Sequence, residues 1–129
     1  MQVTYLSRQK AQWIQRHPVS ALNFLMNSEL VGELHATNGE YKDAIVQYGC
    51  AFEIASILLK IYKSNTGPLR KKIASLALTI YRLCILSQTK HQRNRVIKQA
   101  IFDLFPNQPL LNQSSINTAL EALASEAKE

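Results

Sequence analysis

The sequence predicts an all-α fold, and three observations carry that reading. Apolar residues recur at three- and four-residue steps along most of the 129-residue chain, which is the spacing of one helix face. Only four glycines and four prolines are present, and most fall between the periodic segments, so the breakers separate elements instead of interrupting them. A hydrophobic share of 47% with 19% charged residues is ordinary for a globular chain, long enough to bury a core without metal or disulfide staples. Together they predict a single domain over 1–129, built from antiparallel helical hairpins in a bundle of about six helices.

The first helical segment runs over about Thr4 to Arg16, with Tyr5, Leu6, Trp13 and Ile14 as its apolar positions. His17-Pro18 ends it, because proline removes a backbone donor and biases its predecessor away from helix. Pro18 then opens a second helix to about Thr37, with Leu22, Leu25, Met26, Leu30, Val31 and Leu34 as its stripe. Asn38-Gly39 closes that helix, since both residues tolerate the left-handed cap. The third runs from Tyr41 to about Tyr62, and the stretch SNTGP closes it. The fourth, about Leu69 to Gln88, is apolar nearly all round between Ile73 and Leu86. Such a helix needs neighbours on several sides. Thr89-x-x-Gln92 has the form of a capping box opening a fifth helix to about Phe105. PNQP breaks the pattern, and Ser114 or Ser115 starts a last helix with Ile116, Leu120, Leu123 and Ala127.

The stretch NGEYKDAIVQYGCAFE, residues Asn38 to Glu53, alternates small and aromatic residues at helical steps. Closely packed antiparallel helices need small residues where their backbones approach and larger ones to fill the groove between them. Gly32, the turn residue Gly39, then Tyr41, Ala44, Ile45, Tyr48 and Ala51 supply that alternation. Over about Leu25 to Leu58 this spacing resembles the tetratricopeptide repeat, a helix-turn-helix unit. Val31-Gly32 and Gly39 match the first helix and the turn, whereas Ser28, His35 and Ser56 depart from the usual tryptophan, tyrosine and proline. The plainer alternative is a helical hairpin in an unrelated bundle. The resemblance implies a concave groove lined by the first helix of the unit, here Met26, Glu29, Glu33, Ala36 and Thr37. With acids on that lining, the implied partner is a basic or amphipathic helical segment of another protein.

Charge is distributed unevenly. The formal net charge is +6, and the segment from Ile54 to Phe102 contains ten basic residues and no acid. Arg70, Lys71 and Lys72 open the fourth helix, and Arg93, Arg95 and Lys98 crowd the start of the fifth. Both groups oppose the helix dipole. Two readings follow: a solvated face that keeps the chain soluble, or a patch for an anionic partner, either acidic protein or nucleic-acid phosphate. Nucleic acid is the weaker of these partners, because the cluster has no interleaved exposed aromatics and no known binding motif.

Catalytic chemistry finds little support. His17, His35 and His91 are dispersed, no metal-ligand spacing occurs, and no phosphate loop or nucleophile elbow is present. Glu29 and Glu33 could form an acid–base pair one turn apart, but read more simply as surface carboxylates. The expectation is therefore a protein that is not an enzyme and takes no cofactor. Cys50 and Cys84 sit in helical patterns and read as reduced core thiols, the alternative being a disulfide or a reactive thiol. The amino-terminal stretch lacks a signal-peptide core, and Ile73–Leu86, taken as the most apolar run, is too short to span a bilayer. A cytoplasmic location without membrane contact is expected. These features point to an adaptor or chaperone-like protein-interaction module, with a basic nucleic-acid-binding regulator as the alternative. With only five other helices to cover the fourth and one another, Leu78, Tyr81 and Ile85 are not all expected to be covered within one subunit, and either a homodimer or an exposed apolar groove awaiting a partner is expected.

Overall fold

The computed structural model describes residues 3–128, so the two amino-terminal residues and the last residue of the expected 1–129 domain lie outside it. The described residues form seven helices: α1 Arg8–Arg16, α2 Pro18–Thr37, α3 Tyr41–Ile61, α4 Gly67–Leu86, α5 Lys90–Leu104, α6 Pro109–Asn112 and α7 Ile116–Lys128. No strand occurs among them. The all-α expectation holds, with one extra short helix inside the segment read as a break.

Local chemistry explains the boundaries. Pro18 occupies the first turn of α2 and Pro68 that of α4, where the missing amide donor costs nothing. At the end of α2, Gly39 has φ +76°. Its N–H reaches the Ala36 carbonyl at 3.0 Å and the Glu40 N–H reaches that of His35 at 2.8 Å, the paired bonds of a Schellman cap. The same cap closes α4 with Gln88 in the left-handed region at φ 61°, and the Thr89 N–H bonds to the Cys84 carbonyl at 2.9 Å. This turn displaces the expected capping box. Thr89 does not cap α5 with its side chain; its hydroxyl lies 2.6 Å from that of Ser87 instead.

The core is layered along the chain. α2 packs on α3, α3 on α4, and α4 on both α5 and α7, while α1 lies against α3 and α2. Such packed neighbours are compatible with a helical repeat-like arrangement. α4 is central: Ile73, Ala74, Leu76, Ala77, Ile80, Leu83 and Cys84 are all buried. α3 has buried residues on nearly every side between Ala51 and Leu58. By length and composition α3 could cross a membrane, with a mean hydropathy of 1.5, yet 56% of that window is buried inside the fold. That apolar composition serves the core, which surrounds α3 along its second half.

The expectation of a first helix from Thr4 is corrected. Thr4 to Leu6 precede α1 as a non-helical strap, and Ser7 caps the helix by accepting the Lys10 N–H at 3.0 Å. The Glu53 carboxylate on α3 holds the strap, accepting the N–H groups of Thr4 at 2.6 Å, Tyr5 at 2.9 Å and Leu6 at 2.8 Å. Gly49 makes room for it. A Cβ there would collide with the Tyr5 ring.

Candidate partner-docking surface

Helix α2 uses small residues to pack and leaves larger ones outside. Its buried positions are Ala21, Leu25 and Gly32, and a Cβ on Gly32 would lie 3.1 Å from the Tyr48 ring of α3. Ala44 and Ala51 on α3 are completely buried. Contact through small residues brings the two backbones close and turns the bulkier side chains of α2 away. Val19, Leu22, Met26, Leu30 and Leu34 are 40–74% exposed. Their spacing of three and four residues aligns them along one side of the helix, opposite the buried side. Of the apolar stripe read along α2, only Leu25 is buried and Val31 is half-buried. On α4 the expected trio is not fully covered: Leu78 and Tyr81 are half-buried and Ile85 is exposed.

The residues expected to line a groove share a flank of α2. A turn of 100° per residue places Met26, Glu29, Glu33, Ala36 and Thr37 within an arc of roughly 100°. Met26, Glu33 and Thr37 are exposed, whereas Glu29 and Ala36 are partly buried. Glu29 is engaged inside the fold, receiving the Lys72 ammonium at 3.1 Å.

The expected basic patch is divided. At the start of α4, Arg70 pairs with Glu126 at 2.7 Å and lies 5.6 Å from the centre of the Phe105 ring. Lys72 is taken by Glu29, and Lys71 is exposed. At the start of α5, the Arg93 guanidinium lies 5.9 Å from the Tyr81 ring centre, and its Nε is buried without a hydrogen-bond partner. Arg95 and Lys98 are exposed. Tyr81 stands eleven residues beyond Arg70 on α4, so about 16 Å of helix separates the two groups.

Beside the strap, α3 and α5 flank an open pocket of about 90 Å³ lined by Phe52, Ser56, Lys60, Arg95, Val96 and Asp103 among others. Burial pushes the Tyr5 phenol up to about 12, assisted by the nearby Cys84 and Glu53. Burial likewise raises both thiols above their usual range, Cys50 with added repulsion from Glu53. Cys50 and Cys84 are free cysteines, and neither environment favours a thiolate. His35, Glu40 and Asp43 bring ligand atoms within 4.8 Å of one another at the α2–α3 turn. There the His35 Nδ1 lies 3.0 Å from Glu40, and surface groups of this kind are common without an ion.

The chain matches no protein-family model, no curated protein and no solved structure. The docking surface therefore rests on geometry alone. Sequence reading missed Val19, Leu22, Leu30 and Leu34 as surface residues, although a signal existed: the apolar positions of α2 occupy too wide an arc for a single buried face.

Proposed function

We propose that this chain is a protein-interaction module, adaptor- or chaperone-like and not an enzyme, that docks an apolar helix face of a partner on the outer side of α2. One observation carries the reading: five large apolar side chains, Val19, Leu22, Met26, Leu30 and Leu34, stand exposed in line on a helix of 20 residues. Contiguous apolar patches of this kind mark interaction sites more often than ordinary surface, and a helix laid along such a stripe is a common recognition mode. The likeness to a tetratricopeptide unit supports the same conclusion, through the Schellman turn at Gly39 and the contact of Gly32 with Tyr48. Nucleic acid is the weaker alternative, because Arg70 and Lys72 are paired with carboxylates of the fold and only Lys71, Arg95 and Lys98 of the six basic residues are exposed.

The test is titration of a hydrophobic dye and of an amphipathic helical peptide. Leu30→Glu is expected to weaken both by about tenfold or more, consistent with loss of a central apolar anchor, while the melting temperature stays unchanged. Equal binding by wild type and variant would overturn the assignment of α2 as the docking helix.

A further inference from the structure

Building on that docking reading, we propose that the occupant of the outer α2 face is a second copy of this chain, with the two α2 helices antiparallel about a two-fold axis at Met26. The spacing of the face is the first reason. Leu22 and Leu30 stand four residues either side of Met26, and Val19 and Glu33 seven either side. An antiparallel pair centred there sets Leu22 of each copy against Leu30 of the other and Met26 against Met26. A two-fold contact requires the face to match itself, and here Leu22, Met26 and Leu30 do so, while Val19 falls opposite Glu33.

Charge complementarity is the second reason. The amino-terminal end of the face is basic, with Arg16 exposed immediately before α2. The carboxy-terminal end is acidic on balance, with Glu33, Glu40 and Asp43 exposed against the single exposed cation Lys42. A uniformly basic or acidic partner would meet repulsion at one end. A second copy run antiparallel places basic end against acidic end twice, and the helix dipoles oppose favourably as well. Helix α2 is roughly 30 Å long, so a two-helix contact falls at the small end of specific interfaces, below about 1,200 Å² in total. The dimer is accordingly reversible.

Sedimentation velocity across a dilution series, joined to cysteine cross-linking, tests this. Wild type is expected to pass from monomer to dimer with concentration, and Met26→Lys to raise the dissociation constant by about tenfold or more. Under mild oxidation, Met26→Cys is expected to link to itself. Val19→Cys is not, because its two copies lie roughly 21 Å apart, but it is expected to link to Glu33→Cys when the two variants are mixed. A monomer at every concentration would overturn the proposal, as would self-linking of Val19→Cys, which signifies a parallel pair. The two readings separate cleanly. A monomer whose dye and peptide binding still falls with Leu30→Glu removes the second copy and keeps the docking face, whereas a monomer indifferent to Leu30→Glu removes both.

Discussion

Glu53 shows how a single residue can organise a segment. Its carboxylate accepts three consecutive backbone N–H groups from Thr4, Tyr5 and Leu6, donors that would otherwise need solvent or a helix. The charge-assisted bonds stabilise a non-helical strap over residues whose apolar spacing alone suggested helix. Tyr5 then lies in the notch left by Gly49, and its phenol holds a proton to about 12 instead of its usual 10.0, chiefly through burial. The sign of the pH effect follows. Between these two values the unfolded chain has released the proton and the folded chain retains it, so folding binds more protons and stability falls as pH rises. The contribution is complete below pH 10.0 and is lost progressively toward about 12. Chemical denaturation of wild type and Tyr5→Phe through this window checks it: the variant is expected to lose stability less steeply. Parallel curves would show that the phenol titrates alike in both states.

At the scale of elements, the α2–α3 hairpin is determined by small residues. Gly32 admits the Tyr48 ring, and Ala44 is completely buried. Leucine at position 44 would overpack this contact, and Ala44→Leu is expected to cost about 1–3 kcal/mol. A thermal or urea melt of Ala44→Leu that coincides with wild type would refute close hairpin packing. Much of this hairpin was legible in the sequence, since Gly39, Ala44 and Tyr48 carry local steric requirements that any partner helix would impose. The strap and the α4–α5 turn were not. Thr4–Leu6 depend on a carboxylate 47 or more residues away. Gln88 adopts φ 61° without being a glycine, so no residue type announced the Schellman turn that displaced the Thr89 capping box.

At the scale of the molecule, ion pairs tie distant helices onto α4. Arg70 joins α4 to α7 through Glu126, and Lys72 joins it to α2 through Glu29. The basic run at Arg70–Lys72 thus contributes to holding the fold, and only Lys71 projects freely from it. Arg70→Glu is expected to destabilise by about 1 kcal/mol, given the partial exposure of the pair. Lys71→Glu is expected to stay within about 0.5 kcal/mol of wild type, and adding Glu126→Arg to Arg70→Glu is expected to restore much of the loss. A double-mutant cycle by denaturant melts decides this; no coupling between positions 70 and 126 would mean the pair is solvated and without consequence.

The sequence by itself determined the helical class, the approximate helix boundaries and the close α2–α3 contact. Each depends on periodicity, breakers and residue size within a short stretch of chain. Tertiary structure alone decided which faces are covered. Whether Met26 or Leu25 meets the core depends on where α3 lies, and α3 packs against the small residues of α2, so Leu25 goes in and Met26 stays out. The same dependence turned Arg70 and Lys72 from an apparent patch into partners of Glu126 and Glu29. Charge and hydrophobicity are properties of residues, but exposure and pairing are properties of neighbours, and those neighbours lie far along the chain.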